Sequence, residues 1–180
     1  MELVQPIRDM NLINNLKTEL LKNGYRDYLL FDIAISTGLK IIDIINLTVW
    51  DVKNKSQIQI KEDKTGRLLK YALSPEIHEE LEKFILGMSA WELLFPNKKG
   101  GKRPITDKQA YKYLNEPGRK LGIDDIGTHT LRKTFGYHHY NKHKDIALLQ
   151  NIFCHSTPDM TLRYIGIDDM TDISIEDFFQ

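Results

Sequence analysis

The stretch that decides the fold is HTLRKTFGYHHYNKHKDIALLQNIFCHSTPDMTLRYIGI, residues 129–167. Its punctuation predicts three successive helices, Thr130 to Asn141, Asp145 to Phe153 and Thr157 to Tyr164. Thr157 followed by Pro158 is a helix-opening pair, because proline at the first helical position gives up an N–H that would have no partner anyway. Four side chains here carry chemistry: His129, Arg132, His155 and Tyr164. An arginine fork holds phosphate oxygens bidentately. Imidazoles move protons near neutral pH, and a tyrosine oxygen can form a covalent intermediate. A helix starting at Thr130 puts His129 at its N-cap and Arg132 in its first turn, beside an N-terminus that itself attracts phosphate. Taken singly, H-x-x-R reads as a surface pair and a helical tyrosine as a packed aromatic. Their order is what points to metal-free attack on a phosphate.

Working outward, the remaining segments are mostly helical. Asp9 is a candidate N-cap for a helix carrying Ile13, Leu16 and Leu20 and stopped by Gly24. Tyr25 to Thr37 is an apolar second helix closed by Gly38. A short helix follows at about Ile41 to Leu47. Alternation in Gln57-Ile-Gln-Ile and a Thr65-Gly66 turn predict a small antiparallel hairpin or three-stranded sheet around Val49 to Leu73. Ser74-Pro75 opens a helix to about Leu86, and Thr106 opens another to about Leu121. Between them, Pro96 to Pro104 is a glycine-broken basic loop. The fold class expected is mainly α with a small antiparallel β-sheet, in a single compact domain.

Composition narrows the function classes. The charge of the 180 residues sums to zero, which on its face argues against nucleic acid. Its distribution says otherwise. Residues 168–180 contain five acidic residues and no Lys or Arg, so the body sets 25 basic residues against 20 acidic ones. No apolar run approaches the roughly 18 residues needed to span a bilayer, and a single cysteine, Cys154, fits a reducing compartment. A cytoplasmic protein is expected. His138 and His139, adjacent on a helix, point to different faces, and no carboxylate or cysteine pattern accompanies them or His143, so no metal site and no cofactor are expected, and a solvated or DNA-facing role is the reading for these histidines.

Taken together, the motifs carry a family likeness. HTLRKTFGYHHY (129–140) with IFCHSTPDMTLRYIGI (152–167) resembles the second conserved box of tyrosine recombinases, the phage-integrase family. STGLKIIDIINLTVWDV (36–52) resembles their first box, with Asp43 as the acid three positions after the basic residue. KEDKTGRLLKYALS (61–74) is similar to their β-hairpin, whose lysine precedes Thr-Gly. The likeness covers about Arg26 to Gly166, and VQPIRD (4–9) resembles the start of small stand-alone integrases. It implies the catalytic fold of these DNA breaking-rejoining enzymes and a site-specific recombinase working through a 3′-phosphotyrosine. Tyr164 would be the nucleophile, Arg132 and His155 would hold the phosphate, His129 would assist proton transfer, and Lys64 would protonate the leaving 5′-oxygen.

Lys40 departs from the pattern, which has arginine there as a first phosphate clamp. Lysine keeps the charge and loses the fork. Cys154 departs too, standing where glycine usually precedes the histidine, and is expected to be an inert packed residue. The alternative to the enzyme is a catalytically degenerate DNA-binding paralogue that occupies or regulates a recombination site. Double-stranded DNA is the expected partner. Lys98, Lys99, Lys102 and Arg103 in the basic loop, with Lys133 and Lys142, are the candidate phosphate contacts. The likeness further implies self-assembly on DNA, and Phe178 and Phe179 of the acidic tail after Gly166 are expected to anchor in a pocket, either of their own protomer or of a neighbouring one. The chain is expected to be one catalytic domain over residues 1–180, with an N-terminal helix in 1–25 and no separate N-terminal DNA-binding domain.

Overall fold

The computed structural model describes residues 4–62, 66–97, 103–123, 126–127 and 129–167. Its elements in chain order are α1 (Met10–Asn23), α2 (Tyr25–Thr37), α3 (Ile41–Ile45), α4 (Val49–Val52), β1 (Gln57–Lys61), β2 (Leu68–Ala72), α5 (Pro75–Phe84), α6 (Asp107–Lys120), α7 (Thr130–His143), α8 (Ile146–Phe153) and α9 (Pro158–Ile165). The expected mainly α fold with a small antiparallel sheet is what forms.

Helix α2 is the hub. Apolar residues occur all round it, the pattern of a helix buried on every side, and Leu29, Leu30, Phe31 and Ile33 are fully enclosed. Helices α1, α3, α5, α6 and α7 pack around it. Local chemistry sets the ends of these helices. Asp9 caps α1 by accepting from the Asn11 N–H at 2.8 Å. Thr106 and Gln109 form a reciprocal capping box at the start of α6. Gly38 ends α2 in the left-handed region at φ 68°, where a side chain would also strike the Phe135 ring of α7. Glycine is therefore required twice over at this junction, and its carbonyl becomes a partner of the site.

The sheet has two antiparallel strands among the described residues, in register from Gln57 opposite Ala72 to Lys61 opposite Leu68. The wider expectation of sheet from Val49 onward needs correction. Val49–Val52 is a helical turn, set by a capping box in which Asp51 accepts from both the Thr48 N–H and its hydroxyl. That side-chain chemistry outweighs the β-branched character of the two valines.

A second, smaller apolar cluster lies at the C-terminal end. Leu149, Phe153, Leu162 and Ile165 are buried there, with Phe135 and Tyr164 partly buried against them. Gly136 allows this packing. A Cβ on it would lie 2.5 Å from Ile165 and 2.8 Å from Phe153, so α7 meets α8 and α9 backbone to side chain. No helix among the described residues is long and apolar enough to cross a membrane.

Candidate active site

His129, Arg132, His155 and Tyr164 converge on the small cluster. Tyr164 stands on the last turn of α9, with its ring against Phe153 at 5.1 Å and against His155 at 5.1 Å. His129 is the N-cap of α7, and its Nδ1 lies 3.0 Å from the Tyr164 hydroxyl. That contact joins two residues 35 positions apart. His155 follows the αL residue Cys154 at the end of α8. Its Nδ1 is 3.0 Å from the Thr161 hydroxyl, which leaves Nε2 as the ring nitrogen available to a substrate.

Arg132 is buried rather than laid open at the helix N-terminus. Its guanidinium donates to the Gly38 carbonyl and, at 2.8 Å, to the Ile152 carbonyl, and it lies over the Phe153 ring at 4.8 Å. One side chain thus ties the end of α2, the body of α7 and the end of α8. With five N–H donors in its fork it can hold these carbonyls and still face a cleft. That cleft is lined by Lys40, Asp43, Glu62, Tyr71, Arg132 and Cys154. Lys40 is exposed there at the N-cap of α3.

The electrostatics follow from this packing. Burial pushes the Tyr164 phenol up to about 12, and the neighbouring Arg132 acts against that rise. Burial lowers His129, helped by Lys133, Arg132 and Lys40. His155 is lowered by burial and then by Arg132. At neutral pH the site therefore pairs a protonated phenol with a neutral imidazole at hydrogen-bond distance, a geometry suited to removing the phenolic proton.

Other expected residues are placed differently. Lys133 is no surface cation. It is buried, its ammonium donates to the Val4 carbonyl at 2.7 Å, and it sits 5.3 Å from the centre of the Tyr164 ring. It is thus withdrawn from the set of surface phosphate contacts. His138 bonds the Ile7 carbonyl at 2.9 Å, and His139 packs between Phe135 and His143. Both are half-buried and held by these contacts rather than freely solvated. Cys154 is exposed at φ 57° instead of packed. Arg103 and Lys142 are exposed. Lys64, Lys98, Lys99, Lys102 and the tail with Phe178 and Phe179 lie outside the described residues. No group of three or more His, Cys, Asp or Glu among the described residues could hold a metal ion.

Sequence reasoning missed the residues that set this geometry. Thr161, fully buried, orients His155. Asn115 on α6 accepts from the Ile126 N–H at 2.6 Å and donates to the Ile126 carbonyl at 3.0 Å. It thereby pins the chain just ahead of His129. A polar residue on the buried face of an amphipathic helix was the available signal for Asn115.

Comparison with known proteins agrees with this architecture. The phage integrase family model matches residues 9–170. A Bacillus subtilis (strain 168) protein named "Probable integrase/recombinase YoeC" is 44% identical over 171 residues, spanning 95% of this chain and 94% of that one. The crystal structure of XerA recombinase superposes with a TM-score of 0.75 at 22% identity, over 92% of this chain and 60% of XerA. XerH site-specific recombinase, in a pre-cleavage complex with its difH substrate, gives 0.74 at 22% identity, over 94% of this chain and 52% of XerH. The chain thus spans little more than half the length of these solved recombinases, and it has the fold of their matching portion. On the family match and the extent of its identity to the Bacillus protein, the chain belongs to the phage integrase family.

Proposed function

We propose that this protein cleaves and rejoins DNA strands in site-specific recombination through a covalent 3′-phosphotyrosine. The observation that carries the reading is the 3.0 Å approach of His129 Nδ1 to the Tyr164 hydroxyl. In the proposed reaction Tyr164 Oη attacks the phosphorus of a DNA phosphodiester while His129 takes the phenolic proton. The bond from phosphorus to the 5′-oxygen breaks. Lys64 gives that oxygen a proton, leaving a free 5′-hydroxyl and a phosphotyrosyl bond at the 3′ side. Attack by a 5′-hydroxyl reverses these steps and releases the tyrosine. Arg132 and His155 would hold the nonbridging oxygens, where negative charge gathers in the transition state.

Lys40 would offer a weaker hold on the same oxygens than a guanidinium fork. The loss of one charge-assisted contact to a transition state is worth about 2–4 kcal/mol, or roughly 30- to 1000-fold in rate. Arg103 and Lys142, with Lys98, Lys99 and Lys102, would contact the DNA backbone, and assembly of protomers on DNA with tail exchange belongs to the same proposal. The test is a nicked suicide duplex that traps covalent protein. A Tyr164-dependent adduct, faster in Lys40→Arg, is expected. DNA binding without any adduct, and an adduct gained only in Lys40→Arg, would replace the enzyme with a degenerate DNA-binding protein.

A further inference from the structure

The N-terminal segment Val4–Arg8 has no place in the reaction above, yet it is bonded across the helices that carry it. The Val4 carbonyl accepts from Lys133 at 2.7 Å. The Ile7 N–H donates to the Thr134 hydroxyl at 2.9 Å, and the Ile7 carbonyl meets His138 at 2.9 Å. Arg8 stacks over the Tyr137 ring at 5.1 Å and donates to the Gly166 carbonyl at 2.7 Å. Gly166 is the C-cap of α9, two residues beyond Tyr164. The segment therefore ties α7 to the end of the helix that bears the phenol.

Its most consequential contact is Lys133. A lysine buried this deeply normally needs an anion, because a desolvated ammonium is costly. The anchor here is a neutral carbonyl, and the ammonium lies against the face of the Tyr164 ring. A cation over an aromatic face is attracted to the ring quadrupole, and the attraction grows when the ring gains charge on losing its proton.

We propose that Lys133, seated by the Val4–Arg8 segment, is a positioning residue that keeps the Tyr164–His129 pair short of protons. The two groups form one hydrogen-bonded unit, so a neighbouring charge acts on both. Burial lowers the pKa of the Lys133 ammonium itself, and in its charged form it favours every proton-poor state of that unit. Among the described residues, the other groups facing the pair are Arg132 from α7, Lys40 from the start of α3, His155 from the α8–α9 corner and Tyr111 from α6. Among them Lys133 is the one whose position depends on the N-terminal segment. The inference rests on the strand-transfer reading for its use, but its test does not.

The imidazole of His129 is titrated by NMR in the DNA-free full chain. Lys133→Met is expected to move the His129 midpoint up by about half a unit to one unit, and Lys133→Arg to leave it in place. Arg8→Ala, an exposed change at the far end of the segment, should move it the same way by less. On the suicide duplex, Lys133→Met should slow adduct formation at pH 7 by about tenfold while DNA affinity stays the same, with the rate recovering at higher pH. An unmoved His129 midpoint in Lys133→Met, or an equal shift in Lys133→Arg, overturns the proposal. Should Lys133→Met fail to fold, an unmoved midpoint in Arg8→Ala overturns it instead. A wild-type protein that forms no adduct sinks the strand-transfer reading and leaves the titration result standing.

Discussion

Two regions of this molecule hold their helices together by different means. Around α2, apolar volume does the work: Leu16, Leu20, Leu29, Leu30, Phe31, Ile33, Ile44 and Phe95 are sealed from solvent. Around Tyr164, among the described residues, the buried apolar cluster is Leu149, Phe153, Leu162 and Ile165, and Phe135 and Tyr164 remain partly open. Directional bonds supply there what volume supplies elsewhere. Arg132 joins two carbonyls, Thr161 holds His155, and Asn115 brackets Ile126. The difference teaches why the proposed chemistry would sit in the smaller region. A thin apolar layer leaves a phenol within reach of a substrate, and hydrogen bonds of fixed length still hold it against its partners.

The contrast can be broken by one substitution in each region. Leu29→Ala should cost about 2–5 kcal/mol of stability, the range for emptying a well-packed leucine site. The fraction that remains folded should form adduct at the wild-type rate. Gly136→Ala should cost less, about 1–3 kcal/mol for overpacking. Its new methyl meets Ile165 and Phe153 directly, so it displaces the helix of Tyr164. A shift of an ångström near the reacting atoms can cost on the order of a hundredfold in rate. Thermal melts paired with single-turnover adduct assays separate the two. Equal rate loss per kcal/mol in both variants would mean that the regions are not distinct.

The two regions were also unequally legible in the sequence. The helices around α2 announce themselves through N-caps at Asp9, Ser74 and Thr106 and stops at Gly24 and Gly38, all of which depend on neighbours in the chain. The site residues were legible as types in order, and His129, Arg132, His155 and Tyr164 do meet. Their surroundings were not legible, because they arise from contacts between distant positions. Lys133 looks like any helical lysine until Val4, 129 positions earlier, is laid across it. Thr161 looks like a helix-surface threonine until the turn at Cys154 swings His155 over it. Val49–Val52 misled for the opposite reason: a local capping box overrode a β-like composition.

Acid should sharpen the comparison. His129, His139 and His155 are all lowered by burial, so the folded protein holds them neutral while the unfolded chain protonates them at about pH 6.5. A depressed histidine contributes stability that is complete above the unfolded value. That contribution is lost as pH falls through the folded value. All three lie on or beside α7 to α9. The melting temperature should hold from pH 8 to about 7 and decline below about 6.5. Hydrogen exchange should show α7 to α9 opening before α2. The reverse order of opening would remove the histidines as the cause.

The smallest expected effect concerns the corner between α8 and α9. Cys154 ends α8 at φ 57° and is exposed, so its side chain gains little from packing while its Cβ crowds the backbone. A left-handed conformation costs a non-glycine residue about 1–2 kcal/mol. Glycine would avoid this cost but loses more conformational freedom on folding, worth roughly 0.5–1 kcal/mol against it. Cys154→Gly also gives up the long Sγ contact to the Asn151 carbonyl at 3.6 Å, a weak bond for a thiol. The terms leave a gain of about 0.5–1 kcal/mol, or roughly 1–4 °C in melting temperature for a domain of this size. The corner's shape is fixed by backbone bonds from Cys154 to Asn151 and from His155 to Gln150, which the substitution keeps. His155 should therefore stay on Thr161, and the adduct rate should change by less than about threefold. A destabilised Cys154→Gly protein would show instead that the thiol, whose pKa is raised by burial and then by its contact with Glu62, holds the hairpin against this corner through that contact. The hairpin would then count among the directional ties of the small region.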